Sequence, residues 1–301
     1  MENSSKPKTI LEIIAFFDIF DYPLTFMEIS DYLGNQETKA EIWQELDGLT
    51  IRRQIQNVEG FYCLPDRSEI ITIRKKRFNY ANRKLKIAQR FTKWLKIWPF
   101  VKLVSVSNSI GDRNLRQESD IDFFIISSPG RLWLTRFLAA GLAKLIGQRP
   151  TARNKQDKIC LSFYLSSSQL NLEPLKLPGG DPYFDYWLRN LLVIYDRGGW
   201  EEKFLIANLL KENINEKLCS SDGESTLMEK EVDQEKGTFL GDILEKILHH
   251  FQLWIMSPAL KAASNNSAGV VINEGVLKLY LQDRRAEFLE KYNKKINELL
   301  K

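Results

Sequence analysis

Histidine and cysteine are scarce in this chain: two of the first and three of the second among 301 residues. The histidines, His249 and His250, are adjacent on a helical pattern, which argues against a zinc centre or a histidine-based hydrolase. Cys63, Cys160 and Cys219 are isolated, odd in number and without metal-ligand spacing. They read as free thiols of a reducing compartment rather than a disulfide framework. Long apolar runs are missing too. No uncharged stretch reaches the ~18 residues that a bilayer span requires, and Met1-Glu2-Asn3-Ser4-Ser5-Lys6 lacks the apolar core of a signal peptide. The expectation is a cytoplasmic protein with no membrane association. What remains is ordinary for a globular chain: 44% apolar, 27% charged and a net charge of +4.

That charge is unevenly placed. From Arg74 to Lys96 there are ten Lys or Arg and no acid, so the excess of positive charge is concentrated there. Leu85, Ala88, Phe91, Leu95 and Trp98 recur at helical spacing in the same stretch. One stripe should pack inward while the other displays cations, either as a solvated linking helix or as a surface that steers a polyanion.

Residues 1–66 read as a small separate domain. Ile10 to Phe20 has helical periodicity, Thr25 can cap a second helix through Leu33, and Glu37 to Leu49 forms a third. Ile51 to Val58 and Phe61 to Leu64 flank Glu59-Gly60, a hairpin signal. Three helices and a hairpin resemble a winged helix-turn-helix. Its presumed recognition helix carries Glu37, Glu41, Glu45 and Asp47 against Lys39. Such a helix repels phosphates, so specific DNA binding is disfavoured against a protein-contact role.

The chemistry-bearing signal is Asp120-Ile121-Asp122. An apolar strand, Val101 to Val106, enters a small polar turn, and about ten residues later a second strand opens with these two aspartates. Side chains two apart on a strand share a face, so both carboxylates emerge on one side and repel unless a cation lies between them. Oxygen ligands with no histidine nearby suit Mg²⁺, which usually takes one or two carboxylates plus substrate phosphates.

With Val106, Asn108-Ser109, a ten-residue gap and Asp120-Ile121-Asp122-Phe123, the chain resembles the polymerase-beta-like nucleotidyltransferase superfamily. The resemblance extends to Gly130-Arg131-Leu132-Trp133, which should open the next helix, and to Ile159–Leu165 as the strand closing the sheet. It implies an α/β (α+β) nucleotidyltransferase core. The implied activity is Mg²⁺-dependent transfer of a nucleoside monophosphate from an NTP, ATP being the expected one, to an acceptor hydroxyl. Asp120 and Asp122 would be catalytic metal ligands, with Asn108, Ser109, Arg113 and Ser119 contacting the nucleotide. Two departures stand out. The motif glycine is Asn108. The closing strand has no acid: alternation puts Cys160, Ser162 and Tyr164 on its polar face, and Asp157 just before it is the remaining candidate for a third carboxylate.

The expected organisation is therefore a winged-helix-like domain at 1–66, a basic linking helix at 67–99, the nucleotidyltransferase core at 100–177 and a helical C-terminal region at 178–301. Within the last, Tyr183–Tyr195, Trp200–Leu218, Phe239–Ala263 (interrupted at Pro258) and Val276–Leu300 read as helices, and 219–236 as a mobile loop. Lys278, Asp283, Arg284 and Arg285 cluster where such a helical region can meet a triphosphate. The acceptor stays open between small molecule, protein and RNA. Two other classes remain: a catalytically inactive nucleotide-binding or interaction module, and a winged-helix DNA-binding regulator.

Overall fold

The computed structural model describes residues 9–34, 37–107, 113–151, 153–178, 180–208, 227–229, 239–264 and 268–299. The chain is a mixed α/β protein that divides into two compact units. One comprises Met1–Asn79, Leu177–Tyr186 and Arg284–Lys301, the other Tyr80–Lys176 and Trp187–Asp283. Among the described residues no helix is long and apolar enough to cross a membrane.

The first unit begins with α1 (Ile10–Asp18), β1 (Leu24–Thr25), α2 (Phe26–Leu33), α3 (Lys39–Ile51), β2 (Gln56–Val58) and β3 (Phe61–Cys63). Each helix opens with a reciprocal capping box: Thr9 with Glu12, Thr25 with Glu28, and Thr38 with Glu41. In each, a threonine hydroxyl accepts one otherwise orphaned amide hydrogen and the glutamate accepts another. The strands form an antiparallel sheet in the order β1-β3-β2. Ile13, Phe16, Ile29, Ile42, Leu46 and Tyr62 share the core beneath.

The C-terminal helix belongs to this unit and is shorter than its periodicity suggested. Arg285–Leu299 is helical, whereas Val276–Leu279 is a strand. Phe288 meets Phe20 and Tyr183, and Tyr292 meets Phe16. Buried Arg285 is paired with buried Asp181 at 2.8 Å, and Lys295 pairs with Asp18.

The second unit is built on a seven-stranded sheet. Its strands are β4 (Val101–Val106), β5 (Ile121–Ser127), β6 (Ile159–Ser166), β7 (Leu192–Arg197), β8 (Leu227–Glu229), β9 (Val270–Ile272) and β10 (Val276–Leu279), in the order β8-β7-β4-β5-β6-β10-β9. The β5–β6 and β7–β8 pairs are parallel and the others antiparallel. The long helix α4 (Glu69–Leu95) places Ala88, Phe91 and Leu95 in the core with Phe123, Ile125, Leu161 and Tyr164.

Helix α5 (Leu132–Leu145) is followed in the chain by α6 (Pro182–Arg189), α7 (Trp200–Asn208), α8 (Phe239–Ile255), α9 (Pro258–Ala263) and α10 (Arg285–Leu299). Against α5 packs α8, whose Glu245 carboxylate accepts the amides of Trp133 and Leu134 at 2.8 Å each. That carboxylate caps a helix that has no capping side chain of its own.

Two readings need correction. The expected helix Tyr183–Tyr195 ends at Arg189, and Leu192–Arg197 is a strand paired with β4. The expected helix Val276–Leu300 is a strand followed by a helix, because Val276-Leu277-Lys278-Leu279 lies against β6 and β9. The sheet thus recruits strands from the region expected to be helical. Arg136 of α5 is half-buried and donates to Gln252 of α8 at 2.5 Å. Of the expected helix Trp200–Leu218 only 200–208 is described, and the expected loop at 219–236 lies, apart from 227–229, outside the described residues.

Candidate metal and phosphate site

The β4–β5 ladder carries Asp120 and Asp122 to one end of the sheet. Ser107 extends β4 by donating its amide to the Asp122 carbonyl at 2.9 Å, and Ile121 donates to the Lys158 carbonyl at 2.8 Å. In the parallel register Asp122 is partnered with Cys160. Carboxylate oxygens of Asp120 and Asp122 and the Cys160 sulfur all lie within 4.8 Å of one another. Two predicted ligands are therefore brought together, and the position where a third acid was sought holds a thiol.

Beyond Cys160 the expected alternation fails. Asp122 pairs with Cys160 but Phe124 pairs with Phe163, so β6 has one extra residue between these partners. Such a bulge reverses the faces that follow. Tyr164 consequently packs in the core with Leu161 and Ile159, not beside Cys160. Cys160 Sγ and Ser162 Oγ stay on the site side, 2.9 Å apart. Burial, then the charges of Asp122 and Asp120, push the Cys160 thiol well above its usual range. It is a neutral thiol.

Asp157 does not supply the missing acid. Its carboxylate receives Lys84 Nζ at 2.8 Å and Arg83 at 2.9 Å. Burial opposes its ionisation, but the hydrogen bond and charge of Lys84, followed by those of Arg83, hold its pKa below the ordinary carboxylate value. Lys84 is 0% exposed and also donates to the carbonyls of Gln117 (3.1 Å) and Ser119. Asp157 in turn donates its amide to the Ser119 carbonyl at 3.2 Å. One buried ammonium thus ties together α4, the segment entering Asp120 and the segment entering β6. Sequence reasoning placed Lys84 only among displayed cations. A lysine at i in a stripe whose i+4 member, Ala88, is a core residue was the available signal.

Ser119 lies directly before Asp120 and is partly exposed, and Arg113 sits in the left-handed region at φ 54°. Asn108 and Ser109, the expected phosphate contacts of the turn, lie outside the described residues. The basic stretch is less available than its composition suggested. Arg74 is bound to Glu28, Lys75 to Glu59, Arg77 to Asp21, and Arg83 and Lys84 to Asp157. Lys86, Arg90 and Lys93 are exposed. The cluster expected to meet a triphosphate is committed elsewhere: Lys278 to Asp283, Arg284 to Glu287 and Arg285 to Asp181.

The donor set decides what this site can hold. Two carboxylates suit one hard cation that keeps water or phosphate oxygens as its other ligands, whereas a neutral thiol is a poor partner for Mg²⁺. The residues therefore fit a single Mg²⁺ better than a pair. No family model, curated protein or solved structure matches this chain.

Proposed function

We propose that this protein binds an NTP, ATP being the expected one, through a Mg²⁺ held by Asp120 and Asp122, and transfers its nucleoside monophosphate to an acceptor hydroxyl. The observation carrying this reading is the convergence of both carboxylates with Cys160 within 4.8 Å at the start of two parallel strands. Ion-free, two such carboxylates repel. A divalent ion there would neutralise charge on the phosphates it shares with the protein. The chain's own part is positional: Lys84 and Asp157 fix the backbone just before the aspartates, where Ser119 lies. The acceptor, whether small molecule, protein or RNA, is open. A polyanionic one would find Lys86, Arg90 and Lys93 exposed on α4.

Binding without turnover is the second reading, and Cys160 at the third ligand position favours it. An ion activating the acceptor hydroxyl would lack an anionic oxygen there. The helix–strand–helix–helix–strand–strand order of the first unit supports the winged-helix-like reading, and the acidic α3 makes that unit a protein-contact scaffold rather than a DNA reader. A cytoplasmic setting belongs to the same proposal, since Cys63 and Cys160 are unpaired.

The test incubates the full chain with labelled NTP, Mg²⁺ and acceptor candidates of the three classes, beside calorimetric binding. Label transfer or pyrophosphate release in wild type but not in Asp120→Asn is the expected result. Saturable Mg²⁺-dependent binding with no turnover selects the second reading. Equal activity in Asp120→Asn removes the site assignment.

A further inference from the structure

Helix α8 packs one face on α5, and among the described residues a second, apolar face is uncovered. Its inner face is fixed: Glu245 caps α5, Gln252 receives Arg136 and donates to the Trp133 carbonyl at 2.7 Å, and Leu248 is buried. The outer face presents Leu240, Leu244, Ile247, Phe251 and Trp254. These follow one another at intervals of four, three, four and three residues, the spacing of an interhelical seam. Leu240 is 78% exposed, Ile247 59% and Trp254 76%. Phe137 of α5 continues the patch beside Phe251 at 6.4 Å between rings.

We infer that this face is a homodimer interface in which α8 packs antiparallel against α8 of a second copy. Three features select that occupant. The exposed parts of the five seam residues and Phe137 amount to roughly 700 Å², beyond the ~300–600 Å² patch of an ordinary monomer and approaching the ~800 Å² per partner of a stable interface. Part of the seam is self-complementary: Leu240 and Trp254 each lie seven residues from Ile247. A two-fold axis at Ile247 sets Leu240 of one copy beside Trp254 of the other, Phe251 beside Ile243 and Leu244 beside His250, each contact made twice. The seam also holds no Asp, Glu, Lys or Arg, so self-pairing brings no like charges together. Among the nearest acids, Asp242 is bound to Arg131 and Glu245 to the α5 amides.

Sedimentation velocity of the full chain from about 1 to about 100 µM tests this, because dimerisation is driven by mass action. Wild type is expected to shift from monomer to dimer, with Trp254 emission moving to shorter wavelength over the same range. Ile247→Glu and, separately, Leu240→Glu should remain monomeric at every concentration with unchanged circular dichroism, the substituted side chains being exposed and outside the core. A wild type that stays monomeric throughout overturns the inference. A dimer that persists in both variants overturns it too, by placing the interface elsewhere.

Discussion

Glu28 shows how single residues set the stability of the first unit. Its carboxylate receives two guanidinium nitrogens of Arg74 at 2.7 and 2.8 Å, the Tyr22 hydroxyl at 2.7 Å and the Thr25 amide at 2.8 Å. Arg74 also lies over the rings of Tyr22 and Phe61 at 4.2 and 4.9 Å. Burial works against the ionised form, but the hydrogen bond and charge of Arg74 outweigh it and lower the Glu28 pKa. A depressed folded-state pKa adds stability above the unfolded value of about 4.3, and that stability fades as pH falls through the folded value. Glu28→Gln should cost about 1–3 kcal/mol at neutral pH, partial exposure trimming the penalty of a fully buried pair. In urea unfolding the gap to wild type should narrow below about pH 4. Cys160 is the corresponding residue of the candidate site. Cys160→Asp places a carboxylate opposite Asp122, where a second ion would need one. If the nucleotidyltransferase reading holds, Mn²⁺ titration with NTP should register a second, tighter ion and turnover should rise; an unchanged metal count would mean that the thiol position is not a ligand position.

Among the elements, α5 and α8 depend on each other through one side chain. Glu245→Ala leaves the Trp133 and Leu134 amides without their buried acceptor. Unsatisfied buried donors cost about 1–3 kcal/mol each, so a loss of roughly 2–5 kcal/mol is expected, read as a lower urea midpoint, with Glu245→Gln recovering part of it. Elements with local signals were legible in the sequence. The strand pair Val101–Val106 and Ile121–Ser127 and the helix Leu132–Leu145 match their apolar patterns, and the aspartate pair follows from strand alternation alone. Elements whose identity comes from distant pairing were not. Val276-Leu277-Lys278-Leu279 runs into a helical pattern without a break, and it is a strand because β6 and β9 flank it. Leu192–Arg197 is a strand for the same reason, through β4. The extra residue in β6 left no sequence mark, so the face of Tyr164 could not be read either. The three Thr-x-x-Glu starts were legible as a repeated capping signature, though only Thr25 was read as a cap.

At the scale of the whole molecule, charge placement separates structural roles from those a ligand would meet. The ten cations of residues 74–96 suggested a polyanion surface, yet five of them are spent on Glu28, Glu59, Asp21 and Asp157. Asp157 and Lys84 brace the segment before Asp120 rather than adding a ligand. At the proposed site the two carboxylates stand at the start of β5, with a thiol of β6 as third neighbour. The most direct test is calorimetric titration of the full chain with ATP, with and without Mg²⁺, comparing wild type with Asp122→Ala. With one carboxylate removed, a hard cation that dehydrates reluctantly loses half of its protein ligands. Saturable binding by wild type only when Mg²⁺ is present, and none by a folded Asp122→Ala, is the predicted result. Binding that is independent of Mg²⁺, or equally tight in Asp122→Ala, would contradict the account.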